Sequence, residues 1–349
     1  MYNNKIDSNR KIRHDWVDAL KFLGIFAIYL GHLGLGAGKL YPFVFSYHVP
    51  LFFFAAGFFT IKKNDLSVFD YIKSKFYRLM IPYFTFAFSI LIINAINSGE
   101  TIDYIYNHIY DIIYGVRNNQ FVGTIWFINC LFVIIAIDAI FREIVKNNIV
   151  ILIISLLSFM LSQTVLNHNP LLDPQWFWNI DSAMAYWWLL PLGRCMFLEL
   201  TRDRFFGKSK IGFIVFSITA IMSAYQLLNQ KPLLFKIISI FNADIISSSY
   251  IQAINTIITT VGLIIFNIFI AKIICGNDFI VRAGRNTLNI CGMEYITKLF
   301  IPMALAIIGF SVTIPNPICA IIYTCICVYV SDKIGHWLSR TVGGPFLIK

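Results

Sequence analysis

Charge is what this sequence has least of. Only 13% of its 349 residues are charged and 58% are hydrophobic, against about 25% and roughly 45–50% in an ordinary soluble domain. So few charges cannot cover a globule of 40.1 kDa, which excludes a soluble enzyme and a disordered chain. The seven cysteines are scattered, mostly inside apolar runs, with no Cys-x-x-Cys and no paired spacing. That argues against a zinc site, or any other metal site of cysteines, and against a disulfide framework. No Gly-x-Ser-x-Gly elbow and no His-Glu-x-x-His occurs, so hydrolase and zinc-protease readings have no footing. Gly34-Leu35-Gly36-Ala37-Gly38-Lys39 lacks the spacing and the following Ser or Thr of a phosphate loop. No linker, low-complexity stretch or internal repeat divides the chain, so residues 1–349 read as one membrane domain.

What is present is a succession of apolar runs. A helix needs about 20 apolar residues to cross the hydrocarbon. The runs predict an all-α, polytopic transmembrane helix bundle of about ten spans, near 17–36, 43–60, 80–97, 122–141, 148–166, 183–200, 211–228, 251–275, 287–308 and 316–338. An even number puts both termini on one side. The 28 Lys and Arg outnumber the 18 Asp and Glu, an excess that reports which loops stay inside and gives no argument for nucleic acid. With the N-terminus in the cytoplasm, 22 basic residues fall inside and four outside, namely Lys39, Arg117, Lys231 and Lys236. Arg194 and Lys298 fall within spans. The expectation is a multi-pass protein of the cell membrane with cytoplasmic termini. The first span has the basic flank of a signal peptide, but its apolar stretch is longer than a typical h-region and a second span follows at once, so it reads as retained. In the segment 98–121, Tyr104, Tyr106, Tyr110 and Tyr114 suit a helix lying at headgroup level.

Titratable groups inside spans are costly and therefore candidates for function. Lys21 and His32 are eleven positions apart, about three turns, so they share one face and differ in height by about 16 Å. Asp18 lies on the same face and is spaced to pair with Lys21. A cation at the inner rim thus stands below an imidazole in the outer half, the arrangement that would hold an anionic donor at one end and handle protons or an acyl group at the other. The structural alternative is that Lys21 snorkels and His32 merely meets the interface. His48-Val49-Pro50 opens an aromatic run in which Pro50 frees a carbonyl. There His48 either satisfies that loose backbone or faces substrate. Glu294 and Lys298, at i and i+4, either neutralise each other or leave Glu294 to touch substrate or His32. Arg194 is a candidate for a donor phosphate or for pairing with Glu199 or Asp138. Trp126 is a candidate sugar contact, with packing as the alternative.

Taken together, these motifs resemble the acyltransferase-3 family of integral membrane O-acyltransferases. Lys21-x10-His32 is similar to that family's [Arg/Lys]-x10-His signature in the first helix. Phe45 to Gly57 looks like its "FHMPLFFFLSG" run, best known in the fucose 4-O-acetylase-like branch. Lys73-x-Lys75-x-x-Arg78-Leu79-Met80-Ile81-Pro82-Tyr83 resembles "KR..RLLIPY", Ile125-Trp126-Phe127-Ile128 resembles "LWFL", and Gly284 to Leu288 resembles "GKNSL". The order and spacing agree over most of the chain. Lys21 stands where Arg is commoner, which keeps the charge but loses the bidentate fork. Ala55-Ala56-Gly57 lacks the usual Ser, and Glu294 stands about where many relatives have a late His.

The resemblance implies transfer of an acyl group, most simply acetyl, from cytoplasmic acyl-CoA (acetyl-CoA) to a hydroxyl of a cell-surface or lipid-linked carbohydrate. It implies His32 as general base or transient acyl carrier and Lys21 as a donor contact, beside which Arg194 stays a donor-binding candidate on its position in a span alone. It leaves His48, Glu294 and Trp126 for substrate or proton handling. The competing reading is an exporter of a polysaccharide or small metabolite, for which an internal repeat would be expected.

Overall fold

The computed structural model describes residues 13–60, 66–119, 121–202, 210–241 and 249–340. The expected cytoplasmic termini lie outside the described residues. Among those described, the regular structure is entirely helical. The helices are α1 (Asp15–Gly31), α2 (Leu40–Phe45), α3 (His48–Gly57), α4 (Val68–Ser98), α5 (Ile102–Tyr114), α6 (Trp126–Ile144), α7 (Asn148–Thr164) and α8 (Ile180–Tyr186). They continue as α9 (Leu189–Thr201), α10 (Lys210–Asn229), α11 (Leu233–Phe241), α12 (Ser249–Ile274), α13 (Asp278–Arg285), α14 (Thr287–Ile307) and α15 (Pro317–Arg340).

Each of the ten expected ranges overlaps a helix, and among the described residues six stretches are long and apolar enough to cross a membrane. These are Leu40–Gly57, Val68–Ser98, Lys210–Asn229, Ser249–Ile274, Thr287–Ile307 and Pro317–Trp337. The others differ for identifiable reasons. The helices α1 and α7 have 17 residues each, short of the about 20 a perpendicular crossing needs. Helix α6 carries Asp138, Arg142 and Glu143 in its second half. The range 183–200 is split between α8 and α9 because Pro191 has no N–H to give the carbonyl of Trp187; Leu190 takes that carbonyl at 3.1 Å instead.

Helix α1 is the central rod. It packs on α2, α3, α12, α13, α14 and α15, and its apolar residues Leu20, Ile25, Ala27, Ile28, Tyr29 and Leu30 are buried on every side, as expected of a helix hydrophobic all round. The break in the second span falls at Ser46-Tyr47, between α2 and α3, where Tyr47 adopts φ −147°. Pro50 itself sits in the first turn of α3, where its missing N–H costs little. Helix α5 confirms the helix expected among the tyrosines: Ile102, Tyr106, Tyr110 and Ile113 form one exposed stripe, while Ile112 is buried.

Helices α3 and α9 cross in backbone contact. A Cβ at Gly57 would stand 2.1 Å from the carbonyl oxygen of Leu190, and one at Gly193 would stand 2.0 Å from that of Phe54. Backbone cannot yield as a side chain can, so the two glycines set the spacing of this pair, as small residues do at tight membrane crossings. Gly193→Val is expected to lose at least about 1–3 kcal/mol, read as a lowered midpoint of thermal unfolding and aggregation in detergent. An unchanged midpoint would refute the contact.

Candidate active site

The site is built along α1. At its start, Asp18 is a buried carboxylate that gathers cations. It accepts from Arg13 Nε at 2.7 Å and from Arg285 Nε at 3.4 Å, and pairs with Lys21 Nζ at 2.7 Å. Arg285 also donates to Asp15 at 3.1 Å. Arg78 of α4, exposed and without an ion pair among the described residues, lies close enough to act on the charge of Lys21. Cations therefore exceed carboxylates at this end, a field suited to phosphates. The α13 backbone seals against α1 here, since a Cβ at Gly284 would stand 1.8 Å from the carbonyl oxygen of Asp18.

At the other end of α1, His32 is the cap residue, its amide still bonded to the carbonyl of Ile28 at 3.0 Å. Its Nδ1 lies 3.0 Å from Glu294 Oε2 of α14. A carboxylate only accepts, so Nδ1 carries the hydrogen and Nε2 keeps a lone pair. The second oxygen of Glu294 accepts from Lys298 Nζ at 2.5 Å, and the same ammonium donates to the carbonyl of Tyr29 at 2.8 Å. The Tyr29 hydroxyl is buried between the Ile290 carbonyl, 2.6 Å away, and Ser331 Oγ, 2.8 Å away. Sequence left two alternatives for Glu294, a self-neutralising pair or a contact with His32, and the structure realises both at once. His32 and Lys21 keep 24% and 23% of their side chains exposed, enough for each to meet a ligand, whereas Glu294 at 1% is sealed. The stretch from Arg285 to Glu294 thus follows α1, with Arg285 meeting Asp15 and Asp18 at one end and Glu294 meeting His32 at the other.

His48 donates Nδ1–H to the carbonyl of Val44 at 2.7 Å, whereas the carbonyl that Pro50 frees is that of Ser46, which Thr260 Oγ1 approaches at 3.5 Å. His48 also lines a cavity of about 260 Å³ with Arg117, Trp126, Gln226 and Asn255. Phe45 stands between the two histidines, its ring centroid 4.8 Å from His48 and 6.3 Å from His32. Trp126 is 5% exposed and carries the Arg117 guanidinium 4.8 Å from its ring centroid; that face is taken.

Arg194 is held apart from this line. It is buried against Asp138, with Thr60 Oγ1 and Asn148 Oδ1 each 3.4 Å away. A buried pair costs about 3–5 kcal/mol when one partner is removed. Arg194→Leu is therefore expected to lower the unfolding midpoint sharply, and Arg194→Leu with Asp138→Leu to restore most of it. A double variant as unstable as the single would place the weight elsewhere.

Sequence reading did not single out Arg117 as more than a loop cation, and passed over Gln226 and Asn255 altogether. The available signal was the polarity of Gln226 and Asn255 inside otherwise apolar runs. Among the described residues, no three or more His, Cys, Asp or Glu converge as metal ligands would.

A family match covers this whole line of residues. The acyltransferase family 3, described as an acyltransferase domain, matches residues 14–333. No curated protein and no solved structure matches the chain.

Proposed function

Because the chain belongs to the acyltransferase-3 family and is a membrane O-acyltransferase, we propose that it moves acetyl from cytoplasmic acetyl-CoA to a hydroxyl of a cell-surface or lipid-linked carbohydrate. The run Phe45–Gly57 supports a place near the fucose 4-O-acetylase-like branch. The heavy bias of basic residues to one set of loops supports a multi-pass protein of the cell membrane with its N-terminus inside. The reading rests on one observation: His32, oriented by Glu294, stands at the end of α1 opposite a surplus of cations around Lys21.

An aliphatic hydroxyl is a poor nucleophile until a base removes its proton. His32 Nε2 takes that proton as the oxygen attacks the thioester carbonyl. The carbon–sulfur bond then breaks, and the leaving thiolate recovers the proton from the imidazolium. Glu294 holds the ring in the required tautomer and stabilises the imidazolium, as the carboxylate does in a serine-protease triad. Lys21, Arg78 and Arg285 receive the donor's phosphates. Arg194 would join them only by exchanging Asp138 for a phosphate, so an unchanged KM for acetyl-CoA in the Arg194→Leu, Asp138→Leu variant would remove it from the donor site.

The test is vectorial. Purified protein in sealed vesicles, given radiolabelled acetyl-CoA on the Lys21 face, is expected to label surface glycan supplied on the His32 face. No labelling of glycan from either face would overturn the reading.

A further inference from the structure

Two buried side chains that line the cavity with His48 have polar atoms left unbonded among the described residues. Gln226 on α10 and Asn255 on α12 are 8% and 3% exposed, and Gln226 Oε1 and Asn255 Oδ1 have no hydrogen-bond partner among the described residues. Leaving a buried acceptor unmet is costly, and native interiors do it rarely. Both residues line the 260 Å³ cavity. So does His48, whose Nδ1–H is committed to Val44 and whose Nε2 therefore remains as an acceptor. Thr259 adds a hydroxyl to the wall. Such a wall matches a ligand that brings several hydroxyl donors.

The cavity also has a sign. Among its lining residues Arg117 is the one permanent charge, and it has no carboxylate partner among the described residues. Its known bonds are one from Nη1 to the Leu171 carbonyl at 2.6 Å and the stacking on Trp126, which leaves donors over. The acids in the neighbourhood are already engaged. Asp181 accepts from the Gln175 amide at 2.7 Å and lies 2.8 Å from His168 Nε2, while Glu294 is matched by Lys298 and His32. A half-buried guanidinium with donors left over favours an anion.

We propose that this cavity is the acceptor-anchoring site, and that it takes a sugar or polyol unit bearing a carboxylate or a phosphate, the anion on Arg117 and the hydroxyls on Gln226, Asn255 and His48. The assignment rests on the acceptor being carbohydrate, as proposed above, and adds that the acceptor is acidic. Phe45 lines the cavity and its ring centroid stands 6.3 Å from that of His32, so a unit held there lies close to the base. A second cavity of about 490 Å³ shares the walls Leu171, Leu172 and Thr256 and continues toward Asn167 and Asn169, giving room for further units of a chain.

The experiment compares three acceptors of equal length with the reconstituted full chain and labelled acetyl-CoA: a glucuronic-acid oligosaccharide, a ribitol-phosphate oligomer and a neutral gluco-oligosaccharide. One acidic acceptor is expected to be acetylated with a kcat/KM at least about tenfold above the neutral one, and which of the two identifies the anion. Arg117→Gln is expected to erase that preference by raising KM for the acidic acceptor alone. Asn255→Leu, which removes an unmet buried acceptor, is expected to leave the unfolding midpoint unchanged or higher while raising KM about tenfold; a purely structural asparagine would show the reverse. Equal use of acidic and neutral acceptors, or an equal loss on both in Arg117→Gln, overturns the proposal and leaves the transferase reading standing. If no acceptor is acetylated, thermal shift decides. Stabilisation by an acidic oligomer in the wild type and not in Arg117→Gln upholds the cavity against the transferase reading, and stabilisation by none overturns the cavity too.

Discussion

Replacing His32 with alanine is expected to bring acetyl transfer down to background, a loss of about 10²–10⁴ in kcat from the missing general base, with the protein still folded. Folding should survive because Glu294 keeps its second partner. Lys298 remains on Oε1, so the carboxylate is never left alone in the interior. The KM for acetyl-CoA should barely move, since the phosphate contacts proposed above lie some three turns away, where Lys21→Ala should raise KM and leave kcat nearly intact. That split is the diagnostic. If His32→Ala transfers acetyl at the wild-type rate from a monodisperse sample, the mechanism fails. If His32→Ala and Lys21→Ala both act on KM alone, His32 binds donor and the base lies elsewhere.

Glu294→Leu should be damaging in two separable ways. The carboxylate is 1% exposed and faces a histidine and a lysine. Removing it strands the Lys298 ammonium, a change expected to cost about 3–5 kcal/mol. Lys298→Met should cost less, because Glu294 keeps His32 on Oε2. Combining Glu294→Leu with Lys298→Met removes both charges and should recover most of the unfolding midpoint. It should not recover transfer, because His32 Nδ1 then has no acceptor and the ring loses its orientation. A doubly substituted enzyme with wild-type kcat would show that Glu294 serves the fold alone. The measurement is a pair of numbers for each variant, an unfolding midpoint and a kcat, and the inference lies in their divergence.

Much of this line was legible in the amino-acid order because it runs along single helices. A separation of eleven positions from Lys21 to His32 fixes a shared face, and one of four from Glu294 to Lys298 fixes a pair, wherever the helices end up. The meeting of His32 with Glu294 was open in the sequence as one alternative only, since it joins residues 262 positions apart and depends on how α14 settles on α1. The cavity was less legible still. Its wall comes from α3, α6, α10, α12 and the loop before α6, and no local spacing encodes such a convergence. Arg117 looked like one more outside cation because periodicity says nothing about a residue in a loop. The breaks within the spans were partly visible. Pro191 and Pro50 are each the third residue of a helix, α9 and α3, and in both the interruption falls three to four residues earlier, at Trp187-Trp188 and at Ser46-Tyr47, where the proline withholds its N–H.

The central placement of α1 has a consequence for how the protein comes into being. This rod leaves the ribosome before the other described helices, yet four of the six that enclose it, α12 to α15, follow the rest. Until they arrive, the Tyr29 hydroxyl lacks Ser331 and the Ile290 carbonyl, and His32 lacks Glu294. The opening helix therefore waits in the bilayer with its polar groups unanswered while some 250 residues are translated, and a chain cut short before Asp278 would leave it waiting for good.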